Sequence, residues 1–130
     1  MGSQTDIPDW IRRLFADIDR AGVEGIKDRL HEQVAFRFGS FPAGAGRDNF
    51  AALWAQLSPL VESLHHELLE AWELEDRSVC RGNVTYRRVQ GGPATFPFCN
   101  VFRRRDGRIV EYLIYVDASP VFGVPPVSGS

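Results

Sequence analysis

Asp106-Gly107 stands between two runs rich in β-branched and aromatic residues, one ending in Cys-Asn-Val-Phe-Arg-Arg-Arg and the other beginning Arg-Ile-Val-Glu-Tyr-Leu-Ile-Tyr-Val. Such a dipeptide between two strand-like runs predicts a β-hairpin, because both residues tolerate the positive φ of a tight turn. Side chains alternate across a strand, so Phe96, Phe98, Asn100 and Phe102 share one side of the first run. On the second run Val110, Tyr112, Ile114 and Val116 form the apolar set, with Glu111 and Asp117 opposite. Three phenylalanines with one amide among them read as the wall of a buried cavity. Asn100 and Tyr112 are the polar groups this hairpin offers to the interior.

The rest of the chain supplies the other walls. Asp6 and Pro8 suit a helix start, and Trp10, Ile11, Leu14, Phe15 and Ile18 recur at helical spacing through Asp19. Ala21-Gly22 breaks that helix, and a short second one follows with Val23, Ile26 and Leu30 on one side. Residues 33–39 alternate as a strand with Phe36 and Phe38 on one face. The stretch 40–46 is a Pro- and Gly-containing loop. Asp48 or Asn49 caps a third helix that buries Phe50, Leu53, Trp54 and Leu57, and Pro59 ends it. Residues 61–74 form a strand with Leu64, His66, Leu68, Trp72 and Leu74 in phase. Glu70 breaks that phase and marks a bulge or an edge. Residues 79–89 form the next strand, with Gly82 a bend.

Helices followed by a run of strands predict an α+β fold: a curved antiparallel sheet wrapped around the N-terminal helices as a cone, with a small-molecule site at its mouth. At 130 residues the chain is expected to be one domain, ordered over about 6–122, with a tail from 123 to 130. The outer phase of the sheet also carries apolar residues, Leu69, Ala71, Val101, Leu113 and Tyr115. A second apolar face predicts a partner there.

A net charge of −2 argues against a nucleic-acid partner. No apolar run approaches the length of a membrane span and no signal-peptide pattern is present, so the expected location is the cytoplasm. A turn at Gly91-Gly92 would set Cys80 and Cys99 several residues out of register. Both are then read as free thiols. No metal-ligand spacing or phosphate loop occurs, and no cofactor is expected.

The element order, with Val101-Phe102-Arg103, Asp106-Gly107-Arg108-Ile109 and Tyr115-Val116-Asp117-Ala-Ser-Pro120, resembles the nuclear transport factor 2-like superfamily over residues 8–122. Within it the chain is most similar to the SnoaL-like branch, which includes ketosteroid isomerases, polyketide cyclases and limonene-type epoxide hydrolases. The resemblance implies a small-molecule pocket and a homodimer built through the outer sheet face. It does not carry the usual catalytic acids across. Leu14 stands where the isomerases place a tyrosine, Phe38 where they place the aspartate base, and Asn100 where they place a protonated aspartate. The Asp-Arg-Asp set of the epoxide hydrolases falls on Asn100, Phe98 and Ile114, and the acid of the cyclases on Ile114.

The residues left to do chemistry are His66, Asn100 and Tyr112. His66 should point inward, where a near-neutral imidazole exchanges protons, or else it is a hydrogen-bonded core histidine. Asn100 binds ligand or bonds a neighbour. Leu14, Phe36, Phe38, Trp54 and Trp72 are expected to line the ligand site from the helices and outer strands. Tyr86, Phe98, Ile114 and Val116 are expected to line it from the central ones. Glu70 enters the pocket only if a bulge precedes it. Asp117 reads as a cap, and Arg103-Arg104-Arg105 with Arg108 as a solvated turn. The expected function is binding of a hydrophobic, polycyclic-type ligand, with cofactor-free isomerase, cyclase or dehydratase chemistry. The alternative is a non-catalytic ligand-binding or interaction module of the same fold.

Overall fold

A computed structural model describes residues 6–123. The chain runs through α1 (Asp9–Ala21), 3-10 turns at Gly22–Gly25 and Lys27–Arg29, β1 (Leu30–Phe38), β2 (Gly44–Ala45) and α2 (Arg47–Leu57). A further 3-10 turn at Ser58–Leu60 leads into β3 (Val61–Glu73), β4 (Ser78–Arg88), β5 (Pro93–Arg105), β6 (Arg108–Val116) and α3 (Ser119–Phe122). One six-stranded sheet has the order β2-β1-β6-β5-β4-β3, so β3 to β6 form the expected meander and β2 and β3 are its edges. The fold is α+β as expected, with one parallel junction, β1 on β6, in an otherwise antiparallel sheet. Among the described residues no helix is long and apolar enough to cross a membrane. The expected tail, apart from Gly123, lies outside the described residues.

Helix α1 begins at Pro8, whose carbonyl accepts the first amide protons, from Ile11 and Arg12. It ends at Gly22, where φ is +64°, a backbone state that costs other residues energy. Its stripe of Ile11, Leu14 and Phe15 is buried against the sheet. Each such side chain contributes about 1.5–3 kcal/mol of hydrophobic stabilisation. The expected second helix is instead a pair of 3-10 turns, because Gly22 and Gly25 bracket only four residues. The first strand starts three residues earlier than expected, at Leu30. The loop after it pairs briefly with it as β2, Phe36 facing Gly44. Helix α2 has Gly46, not Asp48 or Asn49, at its N-cap. Asn49 bonds back to the Ala45 carbonyl instead.

Of the four register irregularities among the described residues, two turn over side chains whose faces alternation had assigned. On β3, Leu68 pairs with Gly82 and Glu70 with Arg81, leaving Leu69 as the extra residue. Beyond it the faces exchange. Ala71 packs on the core, whereas Trp72 and Leu74, expected inside, are 46% and 64% exposed. Glu70 lies one residue past the bulge yet stays outside the interior, held by Arg81 Nε at 2.6 Å. On the final hairpin, Arg103 pairs with Glu111 and Arg104 with Ile109, leaving Val110 extra. Ile109 therefore takes the buried place expected of Val110. The turn itself is as read: Asp106 and Gly107 both have positive φ, +53° and +80°.

Cys80 and Cys99 are closer in register than expected. Cys80 pairs with Asn100 and Arg81 with Cys99. The cysteines sit one pair apart on opposite faces of the sheet, so both remain free thiols. Asp117 accepts from the backbone N–H and hydroxyl of Ser119, fixing the entry to α3.

Candidate active site

The last turn of α1 and the middle of β3 meet at one polar contact inside an apolar setting. His66 Nδ1 lies 2.6 Å from Asp19 Oδ1, and the His66 backbone N–H donates to Asp19 Oδ2 at 2.9 Å. A carboxylate only accepts, so this pairing puts the imidazole proton on Nδ1. Nε2 has no hydrogen-bond partner among the described residues. The imidazole side chain is 12% exposed and is held between the rings of Phe15 and Phe98, at centroid distances of 4.7 and 5.2 Å. The neighbouring His65 lies outside, 75% exposed, with Nδ1 3.4 Å from the same Asp19 carboxylate.

His66 opens onto a cavity of about 60 Å³ that Asn100 and Tyr112 also line. These three expected polar residues are thus brought together. Phe38, Trp54, Tyr86, Phe98, Ile114 and Val116 line the same cavity. Leu14, Phe36 and Trp72 do not. Leu14 is packed in the core, Phe36 packs edge-on against Phe50 at 5.1 Å, and Trp72 lies on the far face of the sheet. Leu53 of α2 and Leu64 of β3 complete parts of the wall that the sequence reading did not assign.

Asn100 is 1% exposed, and its Oδ1 is buried without a hydrogen-bond partner. An orphaned buried carbonyl costs about 1–3 kcal/mol, so the amide has unused capacity facing the interior. Burial holds the Tyr112 phenol well above its ordinary range, with Cys80, Tyr86 and Asp19 nearby adding to the effect. Burial does the same to Tyr86. Both phenols are therefore neutral O–H donors at physiological pH. Burial also pushes the Cys80 thiol up to about 12, so it is a neutral thiol rather than a nucleophile.

Asp19 is the member of this site that the sequence reading missed. Its spacing is the signal: Ile11, Phe15 and Asp19 follow one another at four-residue intervals on a buried helix face. A carboxylate where the stripe calls for an apolar residue needs a partner, and His66 is that partner.

A curved six-stranded sheet folded over helices is the fold of the nuclear transport factor 2-like proteins. Within them the chain belongs to the SnoaL-like domain family, whose model matches residues 11–112. Solved structures agree on the fold. An NTF2-like protein of unknown function from Burkholderia pseudomallei superposes with a TM-score of 0.76 at 20% identity, covering 88% of this chain and 95% of that one. A Catenulispora acidiphila protein of ketosteroid isomerase-like fold, in complex with trimethylamine, gives 0.77 at 15% identity, covering 91% and 95%. A putative polyketide cyclase from Xanthomonas campestris gives 0.74 at 15% identity, covering 86% and 90%. No curated protein matches the chain in sequence.

Proposed function

We propose that the cavity is the active site of a cofactor-independent enzyme that moves a proton on a hydrophobic carbonyl or hydroxyl compound. The His66–Asp19 pair carries this reading, because its free nitrogen sits on a ring lining an apolar cavity. In the proposed reaction Nε2 takes a proton from carbon next to a carbonyl, and the electron pair passes to the carbonyl oxygen. The Asn100 amide N–H and the Tyr112 hydroxyl donate to that oxygen. Asp19 stabilises the imidazolium formed. The proton then returns from Nε2 to another carbon, giving isomerisation. Alternatively the enolate carbon attacks a second carbonyl carbon of the same ligand and the resulting alkoxide takes the proton, giving ring closure, or a β-hydroxyl leaves with the proton as water, giving dehydration. Asn100 Oδ1 favours ligands that carry a hydroxyl, which would give that carbonyl the donor it lacks.

The apolar residues at Leu14, Phe38 and Ile114, where relatives carry a tyrosine or acids, favour a second reading, a binding protein without catalysis. Thermal-shift screening against steroids, terpenoid epoxides and aromatic polyketides finds the scaffold for either. His66→Gln then separates them. Loss of about 10²–10⁴-fold in turnover on a compound found this way is expected of the enzyme. A compound that is bound but never turned over by the native protein would support the binder.

We also infer a homodimer through the outer sheet face. Trp72, Val79, Val101 and Leu113 stand side by side across four strands, next to Tyr115, which is 56% exposed. Trp72→Glu should shift the native mass from dimer to monomer. A monomeric native protein would refute this assembly.

A further inference from the structure

Two cavities meet at Trp54. The inner one, about 60 Å³, contains His66, Asn100 and Tyr112. Its free space would take a few water molecules, each needing roughly 10–15 Å³. The outer one, about 510 Å³, is a polar vestibule formed by the end of α1, the turn after it, α2 and the start of β3, with Asp19, Arg20, Glu24, Ser58, Glu62 and Ser63 on its walls. Ile18, Gly22, Val23, Trp54 and Leu64 line both. They form the border between the vestibule and the candidate site.

Trp54 is the large member of that border. Its indole lies between a glycine and a phenylalanine. On one side, a Cβ placed on Gly22 would come within 3.2 Å of Trp54 Nε1. On the other, the Phe122 ring packs at 6.1 Å in an edge-to-face arrangement. The indole N–H has no hydrogen-bond partner among the described residues, so no polar contact fixes the ring in place. The other border side chains are aliphatic.

We propose that Trp54 is the specificity-determining residue of this site: it gates passage from the vestibule and sets the largest ligand body the inner cavity admits. The inference rests on the reading of the inner cavity as the ligand site. Removing the indole joins the two spaces, so a ligand's ring system can occupy the inner cavity while its remainder lies among the polar vestibule groups. The preferred substrate class of the native protein is therefore a small cyclic carbonyl or phenol that seats only its polar end in the inner cavity, and that of a Trp54-reduced variant an elongated, multi-ring one.

Calorimetric titration with 4-nitrophenol, 2-naphthol and a four-ring steroidal phenol tests this. The native protein should bind the one-ring probe best. Trp54→Ala should bind the four-ring probe about tenfold or more tighter than the native protein does, and leave the one-ring probe within about threefold. Trp54→Phe, which keeps a packed ring, should fall between and guards against loss of folding in the alanine variant. An unchanged order of preference in both variants overturns the gate. His66→Gln distinguishes the two layers of the argument. If it leaves turnover of a bound carbonyl compound unaltered while the Trp54 variants change ring-size preference, the acid–base reading falls and the gate stands. If no probe binds the native protein or either Trp54 variant, both fall.

Discussion

Two single residues in this molecule leave little room for change. Gly82 faces the β3 bulge, and a Cβ built there would lie 1.8 Å from the Glu67 carbonyl oxygen. Backbone cannot swing aside as a side-chain tip can. Gly82→Ala should therefore cost about 3 kcal/mol or more, at the exceptional end for a point change, measured as a fall in the urea midpoint. A loss under about 1 kcal/mol would mean that the bulge relaxes freely. The other is Asp19, whose two oxygens accept from two different N–H groups of His66. An amide accepts at one atom only. Asp19→Asn should leave the backbone N–H on Oδ1 and turn the amide N–H toward Nδ1, moving the ring proton to Nε2. Nitrogen-15 spectra of the His66 ring read this directly, and an unchanged tautomer would refute the orienting role of Asp19.

At the scale of elements, the turns were legible and the bulges only in part: Glu70 marked the one on β3. Asp106-Gly107 announces its hairpin because few residues accept positive φ. Gly107→Ala should cost about 1–2 kcal/mol for the same reason, seen in equilibrium unfolding, and a neutral effect would contradict the turn geometry. Alternation placed His66, Asn100, Phe98, Ile114 and Val116 in the interior, since each lies in a stretch of unbroken pairing. It failed just past Leu69 and at Val110. One inserted residue exchanges the faces; Glu70 marked the β3 insertion without saying which side chains beyond it turn over, and nothing in the alternation marked Val110. Hence Trp72 and Ala71 changed places, as did Val110 and Ile109. Asp19 escaped notice for a different reason. Its partner is 47 residues away along the chain, so only the packed structure shows why a carboxylate belongs on that helix face.

For the molecule as a whole, the buried hydroxyls and thiol make stability depend on alkaline pH. Cys80 is raised from its ordinary value of 9.0 to about 12, and Tyr86 and Tyr112 are raised above theirs. Below pH 9 the folded and unfolded chains both keep these protons. Above it the unfolded chain releases protons that the folded one retains, so stability falls as pH rises through the window from 9 upward. Urea midpoints taken between pH 7.5 and 11 should decline accordingly, and Cys80→Ala should soften the first part of the decline. A flat profile would mean that these groups reach solvent in the native state.

The parallel seam between β1 and β6 has a temporal consequence. Phe36 and Phe38 of the first strand find their partners, Tyr112 and Ile114, only in the last. On the ribosome, at about 5–20 residues per second, the amino-terminal third of the chain is made several seconds before those partners exist. Its aromatic face must stay out of aggregates for that interval, and β6 must still enter between β1 and β5 to finish the sheet. The cavity is therefore assembled at the end of synthesis rather than along the way. A nascent chain stopped short of residue 108 contains most of the cavity's aromatic rings but lacks the strand that joins its two sides.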